Sequence, residues 1–308
     1  MNKFKFIIFF ILITLNNNIL KAQIEIKYKV GDEIITNIDI VNEKNYLIFL
    51  RPNLKELSSN EIIEISQNSL INEVIKKKEI NKLFKNINNE ILIKEVKKKL
   101  FDFKNVKNEA EFLNLLANTN INYNKIVEKM KYEALWNELI FRKYNSLIKI
   151  DEAQLKKELI IKISNNKKYE YNISELLFDI EKNDNLKNKY KKILNYIKLN
   201  DFKTAASRFS IANSGKTGGE IGWIKETLLS KKLISILSKV NKGEVTKPIE
   251  YPSGYLLIRI NDKREMKQII SLDKELQDLI NYEKNRQLSQ FSLLFYKKLK
   301  QSSIINEY

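Results

Sequence analysis

The sequence predicts an α+β protein, mostly helical, with one compact strand-bearing module set between long helical stretches. Three observations predict it. Six of the seven glycines (Gly215, Gly218, Gly219, Gly222, Gly243, Gly254) and two of the three prolines (Pro248, Pro252) fall in one short stretch. Glycine serves where φ is positive or two backbones touch, and proline fixes turns, so the exacting backbone geometry belongs to one module. Capping signals and apolar stripes at helical spacing fill the chain before and after it. Shorter segments alternate apolar and polar residues, the period of a half-buried strand.

The elements follow in order. Residues 24–30 (IEIKYKV) alternate and predict a strand, which Gly31-Asp32 turns into a short return over 33–35. Thr36, with Asp39 three residues on, is a capping signal for a helix to about Leu50, ended by Pro52. Ser58 and Glu61 form a capping box opening a long helix to about Phe84, with Leu70, Ile71, Val74 and Ile75 on one face. Helices are predicted over 88–101, 108–117 and 124–144, the last with Ile126, Met130 and Ala134 at i, i+4 and i+8. Asp151 caps the next, EAQLKKELI, and the polar, aperiodic run Asn165, Asn166, Lys167, Lys168 marks a linker. From Leu272 onward the pattern is helical again, with Phe291, Phe295 and Leu299 recurring at i+4.

Residues 209–265 run FSIANSGKTGGEIGWIKETLLSKKLISILSKVNKGEVTKPIEYPSGYLLIRINDKRE. The ordered set of FS, GGEIGW, a helix, KGEVTKP and SGYLLIRI resembles the parvulin family of peptidyl-prolyl isomerases. That resemblance implies a small antiparallel sheet with surrounding helices over 168–263. Residues 171–180 (YNISELLFDI) are then the first strand, 186–199 the helix crossing behind the sheet, and 201–209 a second helix capped by Asp201. A third helix over 228–240 puts Leu229, Leu233, Ile236 and Leu237 on one face, and 244–249 and 255–260 supply the remaining strands.

The helical stretch carries a second resemblance. GDEIITNIDI, two helices, and then NTNINYNKIVEKMKYEALWNELIFRKYNSLIKIDEAQLKKEL look like the N-terminal domain of SurA-type periplasmic chaperones, with Ile148, Ile150 and Asp151 matching the turn after that family's basic helix. It implies a SurA N-terminal-like helical chaperone module over 23–167, completed by a C-terminal helix in 264–308 that packs back on it. The second parvulin domain usual in that family has no room here.

An X-Pro bond left alone relaxes in tens to hundreds of seconds, and an isomerase must bind the twisted amide better than either planar form. Active parvulins resemble one another in two core histidines and a nearby Cys or Asp beside an apolar proline pocket. Position by position, the first-strand histidine matches Glu175, the last-strand histidine matches Leu256, and the Cys/Asp position matches Ala212. The polar core is therefore replaced. The apolar pocket positions match Ile221, Leu229 and Leu233. Gly218, Gly219, Gly222 and Trp223 read as structural residues that shape the loop and fill the sheet edge. Glu175 reads as a carboxylate at the rim or paired with a lysine; the alternative is an acid or hydrogen-bond partner in place of the histidine.

Composition narrows the chemistry further. The chain has no Cys and no His, which removes disulfides, thiolate nucleophiles and the commonest general base and metal ligand. No metal or cofactor is expected, and no glycine-rich phosphate loop is present to hold ATP. Residues 1–22 read as a secretory leader: Lys3 and Lys5, a ten-residue apolar run over 6–15, a polar break, and cleavage after Ala22. Ten residues fall short of the roughly 20 that span a bilayer, and the alternative is an uncleaved anchor. The formal charge is +17. Its lysines are scattered and accompanied by abundant Asn and Ile, so no nucleic-acid partner is expected; weak contact with an anionic membrane surface is.

Together these imply an exported, periplasmic, ATP-independent chaperone that binds unfolded polypeptides, outer-membrane β-barrel precursors in particular, with a parvulin domain lacking isomerase activity. The rival expectation is an active parvulin-type isomerase assisting the folding of exported proteins.

Overall fold

The structure, a computed structural model, describes residues 23–84, 90–164, 169–180, 184–266 and 271–308. The expected leader over 1–22, its cleavage site and the linker at 165–168 lie outside the described residues.

The chain opens with a hairpin of β1 (Ile26–Val30) and β2 (Glu33–Thr36), turned by Gly31 at a φ of 63°. Thr36 Oγ1 accepts from the Asp39 N–H, and the Asp39 carboxylate accepts from the Thr36 N–H at 2.9 Å. This reciprocal cap starts α1 (Asn37–Leu50). The Ser58/Glu61 box does the same for α2 (Ser59–Leu83). Helices α3 (Glu90–Lys104), α4 (Glu109–Leu116), α5 (Tyr123–Tyr144) and α6 (Glu152–Ser164) complete the N-terminal part. Asn108 and Asn122 cap α4 and α5 through their side-chain oxygens. Phe112 sits at the centre of the α3/α4/α5 core, fully buried among the rings of Phe49, Phe101 and Tyr123.

The strand-bearing module comprises β3 (Tyr169–Phe178), α7 (Leu186–Leu199), α8 (Phe202–Phe209), β4 (Glu220–Lys225), α9 (Lys231–Leu237), β5 (Ile249–Tyr251) and β6 (Gly254–Glu265). Its four strands form an antiparallel sheet in the order β4-β3-β6-β5. Alternation along β3 sends Leu176 and Phe178 to one face, against Ile193, Phe202 and Ala205 of α7 and α8. Tyr171, Ile173 and Leu177 go to the other, with Leu256, Ile258 and Ile260 beside them. Two glycines are sterically required: a Cβ on Gly219 would lie 2.2 Å from the Glu175 carbonyl oxygen, and one on Gly254 2.2 Å from that of Phe178.

Two expected elements are shorter than the sequence pattern suggested. The helix over 228–240 is reduced to α9, because Ser230 caps it by accepting from the Leu233 N–H. The strand over 244–249 survives as a bridge between Val245 and Arg259 and then as β5. Pro248 offers no N–H to the ladder, and the residue before it is also restricted.

The chain ends in α10 (Leu272–Ser302) and β7 (Ile305–Glu307). Strand β7, which the sequence pattern did not predict, pairs antiparallel with β1, Val30 opposite Ile305 and Tyr28 opposite Glu307, giving a second sheet of order β2-β1-β7. On the way there α10 packs Phe295 among Ile80, Leu135, Trp136 and Leu139. Phe291 stacks on Tyr144 with ring centroids 4.9 Å apart.

Candidate functional site: the covered face of the four-stranded sheet

Glu175 projects from the middle of β3 on the face that carries Ile173 and Leu177. The Ser214 hydroxyl donates to its Oε1 at 2.7 Å. The tight turn at Asn213–Thr217 positions that hydroxyl: Gly218 closes it at a φ of 73°, the Gly219 N–H donates to the Ser214 carbonyl at 2.8 Å, and the Glu175 N–H donates to the Gly219 carbonyl at 2.8 Å. Burial raises the Glu175 carboxyl above its ordinary range, with the Ser214 hydrogen bond offsetting part of the rise.

Of the residues singled out from sequence, the structure brings five together. Leu229 and Leu256 are buried in the cluster on this face, and Ala212 and Leu233 pack against it from the loop and from α9. Glu175 lies within the same surface. Ile221 is not among them. It sits on the outer strand β4, 40% exposed, as is Trp223, whose ring carries the Arg264 guanidinium 4.0 Å from its centroid. Gly218, Gly219 and Gly222 all have positive φ, at 73°, 79° and 86°.

What covers this face is α10. Tyr282 and Leu293 pack against the cluster that holds Leu256 and Ala212. Burial, with Tyr251 and Glu175 close by, pushes the Tyr282 phenol above its usual range. At one end of the contact Lys225 pairs with Glu275 at 2.6 Å and Asp278 at 3.1 Å, and the Thr227 hydroxyl donates to Glu275 at 3.1 Å. At the other, Lys297 pairs with Asp179 at 2.9 Å and donates to the Ser253 carbonyl at 3.0 Å. Sequence reasoning missed these residues because it read the Phe291, Phe295 and Leu299 stripe as the helix's single buried face. Tyr282, Arg286 and Leu293, at i, i+4 and i+11, are the second line that reveals it.

The turn beneath Glu175 is also held from the helical side. Arg51, buried at the end of α1, donates from Nη1 to the Gly215 carbonyl at 2.9 Å and to Ser207 Oγ at 2.7 Å. Lys216 pairs with Glu133 of α5, which also pairs with Lys76 at 3.3 Å. Burial, reinforced by Lys216, pulls the Lys76 ammonium down to about 8. Burial works to raise the Glu133 carboxyl, but Lys216 and Lys76 outweigh it and hold it at about 2. Among the described residues no cluster of three or more Asp and Glu side chains is placed to hold a metal ion, and no helix is long and apolar enough to cross a membrane.

Residues 172–262 match the rotamase family described as the PPIC-type PPIASE domain. This segment is a PPIC-type rotamase domain. The chain is also similar to chaperone SurA of Pseudomonas putida, 25% identical over 162 residues, which are 50% of this chain and 38% of that protein. It is also similar to chaperone SurA of Cupriavidus pinatubonensis, 34% identical over 65 residues, 21% of this chain and 13% of that one. The chain thus spans well under half the length of these curated relatives. Among solved structures, a SurA-like chaperone of Campylobacter jejuni is 18% identical over 92% of this chain and 98% of its own, with a TM-score of 0.39. A crystal structure of a PpiC-type isomerase domain is 25% identical over 33% of this chain and 96% of its own, with a TM-score of 0.29. Glu175, Ala212 and Leu256 all lie within the matched residues.

Proposed function

We propose that this protein is an exported, periplasmic, ATP-independent holding chaperone for unfolded polypeptides, outer-membrane β-barrel precursors among them, and that its rotamase domain does not catalyse prolyl isomerisation. The observation that carries the second half is the composition of the covered face. Leu256 and Ala212 contribute no polar group to an amide nitrogen, and Glu175 is engaged by Ser214. Catalysis needs interactions stronger with the twisted amide than with the planar one, and the residues on this face supply an apolar floor without that preference. The similarity to SurA chaperones supports the first half. Barrel precursors fit because they are extended, alternate apolar and polar residues, and expose strand edges.

Two assays on one preparation test this reading. An X-Pro tetrapeptide in a protease-coupled assay is expected to isomerise at its uncatalysed rate, while aggregation of a urea-unfolded barrel protein is expected to be suppressed without nucleotide. A second reading, an active isomerase, is favoured by a polar pair on the face, Glu175 with Ser214. Turnover that disappears in Glu175→Gln would establish it in place of the first.

A further inference from the structure

We infer that the outer edge of β4 is a strand-addition site at which an extended segment of an unfolded polypeptide pairs with the rotamase sheet. This rests on the holding function proposed above and names where on the rotamase domain the client is gripped.

The sheet order leaves β4 outermost, with β3 on one side and no strand on the other among the described residues. An outer strand presents a row of backbone donors and acceptors without ladder partners, the template for a further strand. Natural edges are guarded by proline, by inward charge, by brevity or by a covering element. Strand β4 contains no proline. Its two charged residues, at its ends, are already paired: Glu220 with Lys203 of α8 at 2.9 Å, and Lys225 with Glu275 and Asp278 of α10. At its centre, a Cβ built on Gly222 meets nothing within 4 Å. That opening lies over the sheet face, where a side chain of an added strand can rest beside Gly222.

The side chains suit the same ligand. Ile221 and Trp223 flank Gly222, each 40% exposed. Large apolar groups in solvent beside an open edge offer contact to alternate residues of an added strand. The register irregularity at Ile173/Ser174 and the positive φ of Gly222 sit toward the Glu220 end, so regular pairing is available over 223–225, where Trp223 faces Asn172, Ile224 faces Tyr171 and Lys225 faces Glu170. The opposite edge is a poorer template, since β5 has three residues and is followed by Pro252. The apolar face between the edges lies under α10. A client can therefore engage β4 while α10 stays in place.

The test uses the full chain and two synthetic peptides of alternating valine, tyrosine and threonine without proline, one of them N-methylated at every second residue so that one backbone edge cannot pair. Trp223 reports binding, because the other tryptophan, Trp136, is fully buried. The unmodified peptide is expected to blue-shift the emission, and the N-methylated one to bind about tenfold more weakly, the scale of one or two lost hydrogen bonds. Ile221→Lys, which puts a charge on the edge without touching a buried residue, is expected to weaken calorimetric affinity by a similar factor with unchanged far-UV circular dichroism. Equal affinity for the two peptides, or an Ile221→Lys variant that binds as well as the natural chain, overturns the proposal while leaving holding intact. A natural chain that neither binds the peptide nor suppresses aggregation overturns the holding function as well.

Discussion

Trp136 of α5 donates its indole N–H to Ser292 Oγ of α10 at 2.9 Å, a buried bond between residues 156 apart in sequence. It fixes the register of the last helix against the first part of the chain. Phe295 lies nearly parallel to the Trp136 ring, with centroids 5.7 Å apart. Removing a buried Phe side chain costs about 3–5 kcal/mol, and a buried N–H left without its acceptor costs about 1–3 kcal/mol. We therefore expect Phe295→Ala to lower the urea midpoint far more than Ser292→Ala. A fragment of residues 23–167 should lack a cooperative transition until a peptide of residues 271–308 is added back. An N-terminal fragment that melts cooperatively at the full-length temperature would contradict this.

The cover over the rotamase face lets two causes of the proposed inactivity, steric and chemical, be separated. Tyr282→Ala with Leu293→Ala should loosen α10 from the Leu256 cluster, measured as increased binding of an apolar dye to the full chain. If the proposed inactivity is chemical, X-Pro turnover stays at the uncatalysed rate in the loosened variant. Turnover appearing on loosening would show that α10 had been masking a competent site.

Much of this architecture was legible in the sequence wherever a signal was local. The Thr36/Asp39 and Ser58/Glu61 boxes, the long final helix and the glycines at 218, 219 and 222 are each set by a few neighbouring residues. What was not legible depends on partners distant in the chain. Residues 305–307 are strand only because β1 offers them an edge, and three residues carry no period to read. Tyr282 and Leu293 are ordinary helix residues until the rotamase sheet lies beneath them. Trp223 reads as sheet-edge filling, but among the described residues no strand lies on the far side of β4, and the ring remains partly in water under Arg264.

Salt distinguishes apolar holding from charge attraction. The chain's +17 formal charge would draw acidic unfolded segments, but exposed charges separated by more than about 10 Å are largely screened at 0.1 M salt. Aggregation suppression is expected to change less than about twofold when salt is raised several-fold above that level, because burying apolar surface is not screened. Light scattering of an unfolded barrel protein at low and high salt measures it. Loss of holding at high salt would make the lysines, rather than the exposed apolar residues, the binding surface.

Glu175 gives a pH signature of known sign. Its folded-state pKa is raised, chiefly by burial, so between the unfolded and folded values the native state binds more protons than the unfolded chain. Stability from this group is fully present below the unfolded pKa, near 4.3 for a glutamate, and is lost as pH rises through the folded value. Above its folded value the carboxylate is charged in a place that disfavours charge. Glu175→Gln removes that cost and keeps an oxygen to accept from Ser214. The variant is therefore expected to unfold at a higher temperature than the natural chain at pH 7, the difference shrinking to nothing as pH falls through 4. Glu133 has the opposite sign: its pKa is held at about 2 by Lys216 and Lys76, so Glu133→Gln should destabilise at pH 7 and lose its effect only as pH approaches 2. Melting curves of both variants across pH 2 to 8 check the pair, and a Glu175→Gln variant destabilised at neutral pH would mean that the Ser214 bond outweighs the cost of burying the charge.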